Sequence, residues 1–346
     1  MKILYGAGNR IGANFQLVRF LNHTRHQIKI AAHIKSSESL PHIDWTLDAL
    51  YNKLTPKQTS DVNQLFGHSG VPNINLNQAE ILLSEIDDFS PDLVISDAEP
   101  IVAHVAQSLS IPLWYCSPLH LLDGVEWSRG QLRYTSLLSA TRKFLEALPK
   151  AKKTFIYSPL GDLKNCPPLK LGYEWIGPYR INKLPSELSN KNIAIIPNQR
   201  RISPLTKILN CVDSELSLFT EFKDKFSKLQ NLDIKDTELY RKLLGECRWF
   251  FTTGETSYLA DAVYNTVSRV CIAPNLQDPE TLLNAIACRL CELGDDLAQV
   301  ELMDKFSVGE IEKSMQRGGL SIQLNETFNK TLDEKVEELC LNNNCT

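Results

Sequence analysis

The sequence predicts two successive α/β domains, each a parallel, doubly wound sheet with helices on its faces. Three observations carry this prediction. Short apolar runs alternate with helix-periodic stretches through both halves of the chain, the pattern of strand–helix–strand units with buried parallel strands. A glycine loop or polar turn stands where each half needs a strand-to-helix connection. A stretch rich in Pro, Asn and Ser, YEWIGPYRINKLPSELSNKN (173–192), interrupts the alternation midway. With 346 residues, 43% of them hydrophobic, each half is long enough to bury its own core.

The elements follow in order. KILYG (2–6) is a short apolar strand. GAGNRIG leads from it into a helix whose apolar positions are Phe15, Leu17, Val18 and Leu21. IKIAAHI (28–34) is a second strand. Residues 36–75 are polar and rich in turn formers, and predict long loops. A helix is expected over 78–86 and ends before Ser90-Pro91. DLVIS (92–96) is a buried strand that reaches Asp97. PIVAHVAQSLS (100–110) is a helix and IPLWYC (111–116) another buried strand. The second half begins with the strand IAIIP (193–197), with a helix expected over 237–246. Then come the strand CRWFF (247–251), the loop TTGETS (252–257), the helix SYLADAVYN, the strand SRVCIAP (268–274) and the helix PETLLNAIACRLCELG (279–294). The expected division is a first domain over 1–178, a linker over 179–192, a second domain over 193–325, and a helix with a fraying tail over 326–346.

Composition excludes several classes. A formal charge of -4 provides no global basic field for nucleic acid. One basic run stands out: Arg129, Arg133, Arg142, Lys143, Lys150, Lys152 and Lys153 against the single acid Glu146. It reads as a solvated helix face or as a local phosphate-binding patch. No stretch of about 20 apolar residues can span a membrane. The N-terminus lacks the apolar core of a signal peptide. Nine scattered cysteines then point to reduced thiols and a cytoplasmic protein. Cys288 and Cys291 form a C-x-x-C inside an expected helix, where packing is the simpler reading than metal binding. No metal site is expected.

Ligands of doubly wound sheets bind beyond the carboxyl ends of the strands, so candidate residues are sought there. GAGNRIG supplies Gly6, Gly8 and Gly12, followed by Ala13 and Asn14. Glycines allow a sharp turn and a close ligand approach, and a helix N-terminus offers N–H groups to an anion. A dinucleotide reading also wants an acid about 20 residues on. The second strand ends instead in His33, Ile34 and Lys35, which counts against NAD. TTGETS supplies hydroxyls from Thr252, Thr253, Thr256 and Ser257, a flexible Gly254, and a helix N-terminus suited to a diphosphate. Glu255 must then point away from the anion, or toward the sugar. A plain N-cap run would look the same. Asp278 and Glu280 open the next helix, either as dipole-complementing acids or as acceptors for sugar hydroxyls. In SDAEP (96–100), Asp97 and Glu99 are candidate bases, or Asp97 only caps the helix from Pro100. His120 is a third titratable group after the next strand.

These pieces together resemble the GT-B glycosyltransferases, in the branch of MurG-like and UDP-glucuronosyltransferase-like enzymes. GETSYLADAVYNTVSRVCIAPNLQDPETLLNA is similar to that family's donor signature. Its elements fall on Gly254, Ser257, Asp261, Pro274, Asp278, Glu280, Asn284 and Ala285. PDLVISDAEPIVAHVAQSLSIP resembles the first-domain stretch from a buried strand to an acid and a helix, and WIGPYR resembles the interdomain linker. The resemblance implies that Asp261 holds the nucleotide ribose, that Asp278 and Glu280 read the donor sugar, and that 252–257 cradles the diphosphate. It also implies an inverting, metal-independent displacement with a base that deprotonates the acceptor. Many relatives place Gly-His after the first glycine loop, where this chain has Gly12-Ala13. Asp97 is the substitute base, with Glu99 and then His120 behind it.

The expectation is therefore a glycosyltransferase, hexosyl or pentosyl, using a nucleotide sugar, in the first instance UDP-linked, and no cofactor. The acceptor is a hydroxyl compound: a saccharide, a small molecule, or a hydroxymethylated base in phage DNA contacted by Arg129, Arg133 and Arg142. Two other classes are an NADP-linked oxidoreductase and a non-catalytic sugar-nucleotide sensor.

Overall fold

A computed structural model describes residues 1–8, 11–33, 40–50, 75–127, 135–178, 192–196, 216–220, 232–235, 244, 250–265, 270–272, 274, 278–291, 294–296 and 324–344. The chain forms two compact units. The first comprises Met1–Tyr157, Pro168–Tyr179 and Asn329–Thr346; the second comprises Ser158–Pro167 and Arg180–Phe328.

The first unit holds a seven-stranded sheet, all of whose pairings are parallel. Its strands are β1 (Lys2–Gly6), β2 (Gln27–Ala32), β3 (Trp45–Thr46), β4 (Leu93–Ser96), β5 (Leu113–Cys116), β6 (Lys153–Tyr157) and β7 (Tyr173–Ile176). Their spatial order is β3-β2-β1-β4-β5-β6-β7. The chain thus winds outward from β1, then returns to place β4 on β1's other side. That reversal opens a crevice at the carboxyl ends of β1 and β4. The helices are α1 (Ile11–His23), α2 (Leu76–Phe89), α3 (Pro100–Ser108), the single turn α4 (Leu121–Gly124) and α5 (Thr135–Ala147).

Strand side chains alternate between faces. Ile3 and Tyr5 of β1, Leu93 and Ile95 of β4, and Phe155 of β6 join one core cluster with Leu17 and Phe20 of α1. The intervening Leu4, Val94 and Ile156 are equally buried, as both faces of a helix-covered parallel sheet must be. Each such side chain contributes roughly 1.5–3 kcal/mol by leaving water.

Two segments depart from expectation. Tyr173–Ile176 opens the Pro-, Asn- and Ser-rich stretch that interrupts the alternation, yet it forms the edge strand β7. Its Tyr, Trp and Ile are good strand formers, and the Pro- and Asn-rich composition begins only after them. The C-terminal helix α8 (Leu332–Asn344) belongs to the first unit: Leu332 and Val336 enter its core cluster. Lys335 Nζ lies 2.8 Å from Glu174 Oε2, and Gly177 N donates to Lys330 O at 3.0 Å.

The second unit repeats the winding. Strands β8 (Asn192–Ile196), β9 (Leu216–Thr220), β10 (Leu232–Lys235), β11 (Phe250–Thr252), β12 (Val270–Ile272) and β13 (Gly294–Asp296) stand in the order β10-β9-β8-β11-β12-β13, again parallel. Its reversal point lies between β8 and β11. Helices α6 (Thr256–Tyr264) and α7 (Pro279–Leu290) follow β11 and β12. The helix expected over 237–246 lies, apart from Leu244, outside the described residues. Among the described residues no helix is long and apolar enough to cross a membrane.

Candidate functional site

In the second unit, TTGETS connects β11 to α6 at the carboxyl edge beside the reversal point. Gly254 has φ +95°, a conformation that a side chain disfavours. A Cβ there would also stand 2.6 Å from Ile272 Cγ2 and 3.2 Å from Thr281 O. The glycine therefore serves both the turn and the close approach of α7. Asn284, fully buried on α7, holds the turn from the side: its Nδ2 donates to Gly254 O at 2.8 Å and to Thr256 Oγ1 at 3.0 Å.

The first N–H of α6 is capped from α7 and not from its own loop. Glu280 Oε1 accepts from Thr256 N at 3.1 Å and from Thr256 Oγ1 at 2.8 Å. Asp278 Oδ1 in turn accepts from Glu280 N at 3.0 Å, capping α7. Asp278 thus serves the helix start, the other reading its position allowed, while Glu280, only 3% exposed, has a duty on α6 that neither reading foresaw. A hydroxyl carries a single proton. Thr256 gives its proton to Glu280, and Thr253 Oγ1 donates to Glu255. Two of the four hydroxyls expected to serve an anion therefore serve carboxylates. Thr252 Oγ1 accepts from Gly254 N at 3.2 Å, and Ser257 stands half-buried in the first turn of α6.

Glu255 does not leave the loop. Burial pushes its carboxyl up to about 7; the hydrogen bond from Thr253 opposes this, and the charges of Asp278 and Glu280 add to it. The loop accordingly becomes more anion-tolerant as Glu255 takes a proton. Asp261 lies in the second turn of α6, 4% exposed, and its carbonyl accepts from Asn265 N and Nδ2 at 3.2 and 2.7 Å. Cys288 and Cys291 are buried against this unit's core, in keeping with packing.

In the first unit, Gly6, the last residue of β1, is a packing residue. A Cβ on it would meet Val102 Cβ of α3 at 2.8 Å, so its absence lets α3 lie against the strand. Gly8 is buried. Gly12, Ala13 and Asn14 fall in α1, with side chains outside the described set. Asp97 N donates to Gly6 O at 2.9 Å, which brings the SDAEP turn to the β1–β4 crevice. Asp97 is fully buried and Glu99 is 3% exposed. Between them Ala98 has φ +53°, a left-handed conformation that costs a non-glycine residue about 1–2 kcal/mol. Glu99, and not Asp97, is the cap of α3: its Oε1 accepts from Ile101 N at 3.0 Å. Glu99 Oε2 lies 3.3 Å from His33 Nε2. The sequence marked His33 only as the wrong residue for an NAD site. Its position directly after β2 (beside β1 in the sheet) was the available signal.

His120 is placed elsewhere. Its ring packs 5.2 Å from Tyr115 and 6.3 Å from Tyr173, toward the β7 side of the sheet. Its Nδ1 is 3.3 Å from Asp123 Oδ1, and Tyr173 OH donates to Asp123 Oδ2 at 2.9 Å. The structure therefore joins Glu99 to His33, keeps Asp97 two residues away in the same turn, and sets His120 apart. Of the basic run, Arg129 and Arg133 lie outside the described residues. Arg142 and Lys143 are exposed on α5 beside Glu146, and Lys153 Nζ is 3.2 Å from Glu174 Oε1. The described part of the run is thus a solvated helix face on α5 and a strand lysine paired with the neighbouring strand.

No family model and no curated protein matches the chain. Solved structures do. The spinosyn forosaminyltransferase SpnP is similar with a TM-score of 0.60 at 18% identity, over 92% of this chain and 90% of that one. The spinosyn rhamnosyltransferase SpnG, complexed with thymidine diphosphate, gives 0.61 at 13% identity, over 91% and 90%. The glycosyltransferase SnogD from Streptomyces nogalater gives 0.54 at 15% identity, over 99% of both chains. The fold is that of the GT-B glycosyltransferases.

Proposed function

We propose that the protein is a glycosyltransferase that moves a sugar from a nucleoside diphosphate donor to a hydroxyl acceptor, with inversion and without a metal ion. The observation that carries this reading is the β11–α6 connection. A positive-φ glycine, braced by Asn284, precedes a helix that bears Asp261, in a fold shared with a transferase solved with thymidine diphosphate. In this reading the second unit holds the donor. Asp261 accepts hydrogen bonds from the ribose hydroxyls, and the first turn of α6 offers its dipole and Ser257 to the diphosphate. The first unit holds the acceptor. Asp97 takes the hydroxyl proton as the acceptor oxygen bonds to the anomeric carbon, and the bond from that carbon to the diphosphate breaks with its electron pair leaving on the phosphate. The donor base is uridine, as the MurG-like and glucuronosyltransferase-like signature suggests, or thymidine, as the complexed structure suggests. A small aglycone or saccharide suits the acceptor side better than DNA, because the described part of the basic run is a solvated face.

The test is calorimetric titration with UDP, thymidine diphosphate, their sugar conjugates and NADP, followed by mass-spectrometric turnover with the conjugate that binds. Binding of one diphosphate family, with transfer or slow hydrolysis that survives EDTA, is the expected result. NADP binding alone would replace the reading with an oxidoreductase. Binding without any turnover would leave a sugar-nucleotide sensor. Activity lost to EDTA and restored by Mg²⁺ or Mn²⁺ would overturn the metal-independent mechanism.

Glu255 makes donor binding pH-dependent. Its carboxyl is neutral below about 7 and charged above, so the affinity for a nucleotide sugar is expected to weaken from pH 6 to pH 8. The diphosphate diester of such a donor has no proton to lose in that range. Glu255→Gln should remove the pH dependence and tighten binding at pH 8 by roughly threefold to tenfold, the scale of a partly screened like charge. Equal slopes for both proteins in calorimetry would place Glu255 away from the donor. Stability follows the same sign: the raised carboxyl penalises the fold as pH climbs from its unfolded value toward 7, so the variant should gain melting temperature at pH 8 and none at pH 4.

A further inference from the structure

The SDAEP turn places two buried acids at the β1–β4 crevice, and something must offset them, because an uncompensated charge in a protein interior is expensive. For Glu99 the described structure shows what does. His33 follows β2 directly and is 1% exposed. Its Nε2 lies 3.3 Å from Glu99 Oε2 and its Nδ1 lies 3.6 Å from Asp48 Oδ1. Asp48 opens the short 3₁₀ turn Asp48–Leu50 after β3. Among the described residues these two carboxylates are the charged groups that face the ring.

A ring with a carboxylate at each nitrogen carries two protons, since a neutral imidazole would turn a lone pair toward one of the anions. His33 then donates from Nε2 to Glu99 and turns its Nδ1–H toward Asp48, 3.6 Å away, which leaves no lone pair to accept a proton. This separates it from a base. Burial alone would push the imidazole down, but the adjacent Asp48 and Glu99 carboxylates outweigh that and carry it up to about 9. The ring stays charged at neutral pH. Glu99 has both oxygens occupied, one by Ile101 N and the other by His33. Asp97 sits two residues earlier in the same turn, across the positive-φ Ala98.

We propose that His33 is a positioning residue for sugar transfer: a buried imidazolium, held between Glu99 and Asp48, that ties the carboxyl ends of β2 and β3 to the β4–α3 turn and so orients Asp97. The proposal rests on the transferase reading above. It differs from the arrangement that the sequence resemblance implies, in which an imidazole beside Gly12 takes the acceptor's proton. Here position 13 is alanine, and the imidazole comes from the neighbouring strand in a charged, non-basic role.

The test uses full-length protein with histidine labelled at Cε1, assigned by loss of one signal in His33→Gln. The expected His33 signal is that of an imidazolium at pH 7.5, with a midpoint near 9 that falls by more than one unit in Glu99→Gln and in Asp48→Asn. The Asp48 variant touches the most exposed member of the group and guards against loss of folding. In the transfer assay, His33→Gln is expected to keep the donor Kd, lower kcat about tenfold or more, and move the acidic limb of the kcat profile to higher pH. That movement follows because a lost positive charge makes nearby carboxylates harder to ionise; a merely structural role would lower the profile without displacing it. A neutral His33 at pH 7.5, or a His33→Gln profile that coincides with wild type in an active enzyme, overturns the proposal alone. A wild-type protein that transfers no sugar from any bound donor overturns the transferase reading, and the positioning role falls with it while the titration data stand.

Discussion

Replacing Gly254 by alanine is expected to lower the melting transition of the second unit and to abolish measurable donor binding. Two costs add. A non-glycine residue at φ +95° carries about 1–2 kcal/mol of backbone strain. The new methyl would meet Ile272 Cγ2 at 2.6 Å and the Thr281 carbonyl oxygen at 3.2 Å, and forcing extra volume into a packed site costs about 1–3 kcal/mol. Together these amount to roughly 2–5 kcal/mol, or on the order of 5–20 °C for a unit of this size. Function should suffer beyond stability, because relief of the clash shifts Gly254 O from Asn284 and loosens the loop ahead of α6. Scanning calorimetry and titration with the preferred diphosphate read the two effects separately. A Gly254→Ala protein that melts as wild type does and binds the donor with unchanged Kd would mean that the loop geometry is neither strained nor needed.

Asp97→Asn is expected to preserve folding and donor affinity while cutting transfer by about 10²-fold or more, the scale of a positioned general base. The change is nearly isosteric, so the fully buried site keeps its volume, and the backbone bond from Asp97 N to Gly6 O does not depend on the side chain. Hydrolysis of the donor by water should fall less than transfer. Glu99→Gln and His120→Ala serve as contrasts. Glu99 caps α3 through an oxygen that Gln keeps and faces His33 through the other, so Glu99→Gln should act through His33 and lower transfer less than Asp97→Asn does. His120 packs between Tyr115 and Tyr173, so its loss should appear as a packing defect. The assignment is wrong if Asp97→Asn transfers at near wild-type rate while either contrast does not.

Gly6 and Gly254 both stand at strand ends and invite the same reading. Only Gly254 has a positive φ; Gly6 is needed because α3 approaches it. Sequence spacing cannot separate the two, since each is a glycine followed by a helix. Similarly, Asp97 and Glu99 are equally placed to cap α3 by type, and only the backbone turn through Ala98 decides that Glu99 does so.

What the sequence alone determined was the architecture: the alternation of buried strands and helices, the near-even division of the chain, and the βα connections at TTGETS and SDAEP. These are local patterns, because strand and helix periodicities and turn chemistry act over a few residues. What only the tertiary structure decided was which side chains meet across those connections. Glu280 caps a helix that begins 24 residues earlier, α8 closes the core of the first unit, and His33 reaches Glu99 across 66 residues of chain. In a parallel sheet, neighbouring strands are joined by long crossovers, so the residues that share an edge are far apart in sequence, and no local pattern records their encounter.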